Sequence, residues 1–210
     1  MKLRKAIEAN PSDLNFMRDC LASNPRYLVT ATDTPNILHQ GSRHNALHAA
    51  AKLGREEAAR LVLHWVVGGN LLGRLYPEEV GNLEERVARL TDLYLNMPNK
   101  GAGDTPLHLA AKFGRVGMVR LLASMPLTQL AARNAAGETP EDVVCSRCQV
   151  SLLPLDLLAC PDCPSQISDC PTQVSDEEKQ EILAALRGEV AIPVYATEEG
   201  VKRYFIGTLT

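Results

Sequence analysis

Aromatic side chains are scarce in this chain. One Trp, three Phe and five Tyr amount to 4% of its 210 residues. The interior must therefore come from Leu, Ala and Val, a mixture suited to closely packed small helices because Ala lets backbones approach. Long hydrophobic runs are lacking as well. The longest, residues 61–67, is broken by His64 and falls far short of the ~20 apolar residues that span a bilayer. The opening Met1-Lys2-Leu3-Arg4-Lys5 is positively charged, but residues 6–11 make no apolar signal core. Basic excess is missing too: 22 Lys and Arg face 25 Asp and Glu, a net charge of −3. That balance argues against direct nucleic-acid binding, which needs a basic face to displace counterions. The chain also contains no GxxxxGKS/T, GxSxG or HExxH phrase, so it offers no phosphate loop, hydrolase elbow or zincin helix, and an enzyme is not expected.

What is present is an ordinary globular balance, 45% hydrophobic and 22% charged, with an uneven distribution of charge. Residues 1–60 hold 9 Lys and Arg against 6 Asp and Glu, whereas residues 151–210 hold 4 against 10. A basic N-terminal surface could meet an acidic partner, although solvated faces carry such imbalances routinely.

Internal repetition then organises the chain. Thr105-Pro106-Leu107-His108-Leu109-Ala110-Ala111-Lys112-Phe113-Gly114 matches the ankyrin phrase TPLHLAA-x-x-G. Asn45-Ala46-Leu47-His48-Ala49-Ala50-Ala51-Lys52-Leu53-Gly54 repeats it with a weakened start. Gly137-Glu138-Thr139-Pro140-Glu141-Asp142-Val143-Val144 is a degenerate third copy, as expected of a terminal repeat. Thr105 can cap the following helix, and Pro106 at its first position gives up an N–H that would be unpaired anyway. Gly114 suits a left-handed helix end. His48 and His108 occupy equivalent places; they could suggest a metal or catalytic pair, but the repeat context favours a histidine that fixes the turn through backbone hydrogen bonds.

Spacing adds a second layer. Thr105 to Thr139 is 34 residues, close to the ankyrin period of about 33. Asn45 to Thr105 is 60, about 27 more than one period, so an insertion must lie between the first two repeats, at residues 68–97. Within it, Val87, Leu90, Leu93 and Tyr94 fall at helical spacing over residues 84–95. The expectation is an extended outer helix, a loop and one extra helix ending near Asn96-Met97-Pro98. In front of the repeats, residues 3–9 and 13–23 read as a capping helical pair, with Ser12 as the cap of the second.

Five of the six cysteines follow the third repeat: Cys145, Cys148, Cys160, Cys163 and Cys170. The first four make two C-x2-C pairs separated by eleven residues, a pattern that can present four thiolates to zinc. Against this, the intervening stretch is leucine-rich, Cys145 could lie in the last ankyrin helix as a small hydrophobe, and Cys170 leaves an odd thiol. Structural zinc, scattered thiols and, third, disulfides remain the alternatives. Cys20 reads as a core residue of the front pair. At the end of the chain, Ser175-Asp176-Glu177-Glu178 is a capping box opening a helix that stops at Gly188. Two strand-like runs, 190–195 and 202–206, flank Glu198-Glu199-Gly200 and predict a hairpin.

Several phrases are more specific than a generic repeat. Asn24-Pro25-Arg26-Tyr27-Leu28, Tyr76-Pro77, Asp92-Leu93-Tyr94-Leu95-Asn96-Met97-Pro98-Asn99-Lys100, Asp104-Thr105-Pro106-Leu107-His108 and Thr139-Pro140-Glu141-Asp142-Val143 occur together in this order. In that combination, from about residue 6 to 195, the chain resembles the ankyrin region of the family of ankyrin repeat and LEM domain-containing protein 2. The resemblance implies a scaffold of the endoplasmic reticulum and nuclear envelope with protein phosphatase 2A subunits and a vaccinia-related kinase as partners. Its role there is to keep barrier-to-autointegration factor dephosphorylated as the nuclear envelope reforms at mitotic exit. The absence of a membrane span and a LEM domain makes the chain read as a fragment or shortened member, and the cysteine insertion departs from the family pattern.

The fold expected is mainly α, an ankyrin-repeat helical solenoid with an inserted helix and a small C-terminal β-hairpin. Its divisions are capping helices and loop over 1–41, repeats over 42–144, a cysteine-containing insertion over 145–174, and a helix with hairpin over 175–210. As a binding module, the stack would use its hairpin tips, including Lys100, Asp104, Arg133 and Asn134, and its groove, including Lys52, Arg55, Lys112, Phe113 and Arg115. The alternative is a generic ankyrin adaptor in which Cys145, Cys148, Cys160 and Cys163 hold a structural zinc.

Overall fold

The two full repeat phrases each start a helix in the computed structural model, which describes residues 2–68, 70–77, 82–148, 174–195 and 202–208. Helix α3 (Ala46–Leu53) is capped by Asn45, whose side chain accepts from the His48 amide; α7 (Pro106–Lys112) is capped in the same way by Thr105 and His108. In both boxes the histidine ring returns a bond to the cap backbone, a job Glu or Gln does in the commoner box. Both phrases end in a left-handed glycine, Gly54 at φ 69° and Gly114 at φ 60°, a conformation an L side chain resists. The next amide closes the turn: Arg55 N–H donates to Ala50 and Arg115 N–H to Ala110, each at 2.9 Å.

The chain then runs back along the outer helices α4 (Glu56–Val67) and α8 (Val116–Ala123). Inner helix α3 packs on α7 and on α4, while α7 packs on α8. Ala50, Ala51, Ala110 and Ala111 are fully buried at these contacts, which answers the scarcity of aromatics: methyl groups allow the close approach that rings would prevent.

In front, α1 (Lys2–Glu8) and α2 (Leu14–Ser23) cover the open end through Leu3, Ile7, Met17 and Leu21. The cap of α2 is Asp13, whose carboxylate takes the Phe16 amide at 3.0 Å; Ser12, expected to cap, instead donates to the Ile7 carbonyl. A carboxylate accepts the helix-start N–H groups more strongly than a hydroxyl, and Asp13 lies at the residue adjoining the helix. A 3-10 turn follows at Pro25–Tyr27.

The insertion holds two helices, α5 (Asn70–Leu75) and α6 (Leu83–Asn96), where one was expected. Helix α4 stops at Val67 and is not extended, and α5 buries Leu71 and Leu72 completely. A six-residue helix shows too little periodicity to be read from sequence. Tyr94 of α6 is wholly buried, and its hydroxyl donates to the Leu28 carbonyl at 2.5 Å. A second tie lies nearby: Arg86 bonds Asp33 Oδ2, Tyr76 donates to Asp33 Oδ1 at 3.0 Å, and the guanidinium of Arg86 lies 3.9 Å from the Tyr76 ring centre. Together these seat the insertion on the N-terminal loop.

The third phrase makes no inner helix. Residues 140–147 form successive turns, and Cys145, one candidate for a helical position, stands at φ 57°. Asp142 occupies the histidine position and takes both the amide and the hydroxyl of Thr139 at 2.8 Å. The segment is held instead by Cys145 N–H to Ala111 and Arg147 N–H to Lys112. Helix α9 (Asp176–Leu186), opened by the Ser175 capping box, packs on α8 and buries Ile182 and Leu186. It takes the place of the outer helix of this third repeat. Arg120–Glu181 and Arg187–Glu141 ion pairs fasten it. Both Cys148 and Val174 stand against Gly114. Strands β1 (Glu189–Tyr195) and β2 (Lys202–Thr208) pair antiparallel, Glu189 opposite Thr208 and Tyr195 opposite Lys202.

Candidate protein-binding face

Three hairpin fingers precede the repeat phrases, and backbone bonds close and connect them. His39 and His44 form a bridge in the first. Asn99 N–H donates to Asp104 at 2.8 Å in the second, and Asn134 N–H to Glu138 at 2.9 Å in the third. Between fingers, Lys100 N–H donates to Ser42 at 2.9 Å and Ala135 N–H to Ala102 at 2.8 Å. The fingers thus form one continuous edge rather than three independent loops.

Histidines lock this edge to the helices. Nε2 of His48 lies 3.3 Å from the Asp104 carbonyl oxygen, and Nε2 of His108 lies 3.0 Å from that of Glu138. Nδ1 faces the amide of the cap residue, Asn45 or Thr105. Only the neutral tautomer with its proton on Nε2 satisfies both contacts. Burial lowers His48 from 6.5 to about 3 and, with nearby Lys52 and His39, lowers His44 to about 4. The His44 ring stacks on His48, centres 5.3 Å apart. These histidines hold the turns and are unsuited to proton transfer near neutrality.

The residues expected at the binding face separate into two groups. Asp104 is 3% exposed, and its carboxylate receives Lys112 Nζ at 2.6 and 2.7 Å and Asn134 Nδ2 at 3.1 Å. Asn134 is buried, its Oδ1 accepting the amides of Ala136 and Glu138. Phe113 is buried beneath the Lys52 ammonium, 5.5 Å from its ring centre. Asp104, Asn134 and Phe113, expected to meet a partner, are buried, and half-buried Lys112 is engaged by Asp104: a tip carboxylate and amide are buried because each finger covers the next. Lys100 is exposed in the second finger and Arg133 just before the third, its guanidinium donating to the Gly137 carbonyl at 2.6 Å, while Lys52, Arg55 and Arg115 are half-buried along the ends of the inner helices. Sequence reading missed Arg43, the exposed cation of the first finger at φ 55°. It stands two residues ahead of the cap residue Asn45, whereas Lys100 stands five ahead of Thr105, so the repeat register gave no signal for it.

The sulfurs of Cys145 and Cys148 both converge on Gly114; a Cβ there would stand 3.4 and 2.9 Å from them. The Cys148 amide donates to the Cys145 carbonyl at 3.0 Å, closing the C-x2-C turn. Cys160 and Cys163 lie outside the described residues, and among the described residues no group of three or more metal-ligating side chains gathers. A separate open apolar hollow of about 290 Å³ lies between α4, α6 and the turn after α8, lined by Val67, Val87, Met125 and Leu127.

A family model for the ankyrin repeat matches residues 102–135, which span the second finger, α7, α8 and the start of the third finger. Ankyrin repeat and LEM domain-containing protein 2 of the rat is 42% identical over 147 residues, covering 70% of this chain. The human protein is 40% identical over 147 residues and the Drosophila melanogaster homologue 37% over 150, each covering 70% of this chain. The chain is an ankyrin-repeat protein homologous to these. The 70% coverage is less than the span of residues 6–195 expected from the sequence phrases. This chain corresponds to only 15% of the rat protein, 16% of the human and 12% of the fly. Among solved structures, a chain of the crystal structure of yeast ribosomal protein Rps3 in complex with its chaperone Yar1 aligns with a TM-score of 0.47 at 24% identity, covering 67% of this chain and 78% of that one. Among the described residues no helix is long and apolar enough to cross a membrane.

Proposed function

We propose that this chain is a non-enzymatic protein-binding scaffold whose partner docks on the finger edge and the adjoining inner-helix ends. The observation that carries this reading is the hydrogen-bonded continuity of the fingers, Lys100 to Ser42 and Ala135 to Ala102, which makes a rigid edge of exposed side chains. A preorganised surface binds without the ordering cost that separate loops would incur. Homology to ankyrin repeat and LEM domain-containing protein 2 supports a more specific assignment. In it, the scaffold acts at the endoplasmic reticulum and nuclear envelope during cell division. It recruits protein phosphatase 2A subunits, opposes a vaccinia-related kinase, and so regulates dephosphorylation of barrier-to-autointegration factor at mitotic exit. Capture of purified phosphatase subunits tests it. The intact chain should retain them and a folded Lys100→Glu, Arg133→Glu variant should not; equal retention would remove the fingers from the account.

A second reading treats residues 145–163 as a structural zinc module. Its support is the convergence of the Cys145 and Cys148 sulfurs over one glycine, the geometry a C-x2-C turn uses to present two thiolates to one ion. Cys160 and Cys163 would complete four ligands. Purified folded protein should carry about one zinc per chain, falling in Cys145→Ser; folded protein without zinc would end this reading.

A further inference from the structure

We infer that Cys145 and Cys148 form a redox modification site, a dithiol that a hydroperoxide closes to a disulfide. The inference concerns this pair alone and does not rest on the zinc reading above. The Cys148 amide donates to the Cys145 carbonyl at 3.0 Å, the bond from the fourth residue to the first that closes a tight turn. Such a turn keeps its end Cα atoms within about 7 Å, and a disulfide takes a Cα separation of about 4.4–6.8 Å. The side chains agree with the backbone. Both sulfurs stand over the bare Cα of Gly114, and the two thiols are hydrogen-bonded to each other. Cys20 differs, being the single cysteine of α2.

The turn is held in place before any bond forms. Cys145 keeps a left-handed φ of 57°, which a residue with a side chain adopts rarely. Its amide donates to Ala111 at 2.9 Å and that of Arg147 to Lys112 at 3.0 Å, so the turn sits on the last carbonyls of α7. The Cys148 thiol faces the Lys112 carbonyl as well, at 3.9 Å. Both cysteines are half-buried, which admits a small oxidant. One thiolate attacks a peroxide oxygen; the O–O bond breaks, a sulfenic acid forms, and the departing hydroxide takes up the thiol's proton as water. The neighbouring sulfur then attacks the sulfenic sulfur; the S–S bond forms, the S–O bond breaks, and a second water leaves with the second proton. Two thiols give up two electrons and two protons, and hydrogen peroxide becomes two waters. The closed turn braces the end of α7, and Val174, just ahead of α9, rests on the same glycine.

The test treats the full chain with hydrogen peroxide, blocks the remaining thiols and digests with trypsin in the absence of reductant. Trypsin cuts after Arg133, Arg147 and Lys179, so Cys145 and Cys148 fall on separate fragments, 134–147 and 148–179. These fragments should stay joined, with tandem mass spectrometry placing the bond between Cys145 and Cys148, and dithiothreitol should part them. Cys20 should be recovered as a blocked thiol. The amides of Cys145 and Arg147 should exchange hydrogen more slowly in the oxidised chain, and circular dichroism before and after treatment confirms that the chain stays folded. Separate fragments would overturn the inference, as would a bond from Cys145 to Cys160, Cys163 or Cys170, or Cys145 carried singly to sulfinic acid. Zinc content of the same folded samples separates the two readings of these cysteines. A metal-free chain that closes the bond ends the zinc reading and keeps this one; a zinc-bearing chain that never closes it does the reverse.

Discussion

Nε2 of His48 and the carbonyl oxygen of Asp104 are 56 residues apart in sequence and 3.3 Å apart in space. Asp104 immediately precedes the cap residue of the next repeat, so the bond ties the start of one inner helix to the finger of the next. His108 makes the same tie to Glu138 at 3.0 Å. Replacing His48 by Ala should cost about 1–3 kcal/mol, because a buried carbonyl loses its donor. The loss should be smaller for His108→Ala, whose site is less enclosed. Urea midpoints would show this; unchanged midpoints for both would mean the ties are incidental.

Acid should weaken the stack through the same rings. Burial holds His48 near 3 and His44 near 4, whereas the unfolded chain protonates near 6.5. Below 6.5 the unfolded state binds more protons, so stability falls as pH falls, through about 4 for His44 and on toward 3 for His48. Above 6.5 this contribution is fully present and flat. Melting temperatures measured from pH 7 to 4 should drop more steeply in the natural chain than in His44→Gln. Parallel slopes would exclude His44 as a contributor.

Asp104 joins Lys112 and Asn134 where little water reaches, with the Lys112 side chain 14% exposed. Asp104→Ala strands that ammonium and should cost about 3–5 kcal/mol. Asp104→Ala combined with Lys112→Met removes both charges and should be less damaging than Asp104→Ala alone. Denaturant unfolding of the four proteins in the cycle measures the coupling; additive losses would contradict it.

Tyr94 anchors the insertion from inside. Tyr94→Phe keeps the ring and removes the donor to Leu28, which should cost about 1–2 kcal/mol. Hydrogen exchange should quicken first in α6 and the loop around Leu28. Uniform quickening throughout the stack would instead place Tyr94 in a single global unit.

The repeats were legible because ankyrin chemistry is local. Thr105, Pro106 and Gly114 name a helix start and stop within ten positions, and their counterparts at 45–54 do so again. The excess between Asn45 and Thr105 located the insertion, but α5 was too short to show a period. Burial of Asp104 and Asn134 was hidden because it depends on one finger covering another, which no single repeat encodes. Asp142 closes the same reciprocal box with Thr139 that His108 closes with Thr105, so the third phrase carried no signal of the left-handed turn at Cys145.

Cys148 and Val174 both stand against Gly114, at 2.9 and 2.5 Å from where a Cβ would be. The residue that stops α7 is therefore also the floor on which the chain beyond the third finger rests. A side chain there meets two obstacles at once, the left-handed φ of 60° and the atoms pressed onto it. One missing methyl thus joins the ending of one repeat to the seating of the next, and neither can be altered alone.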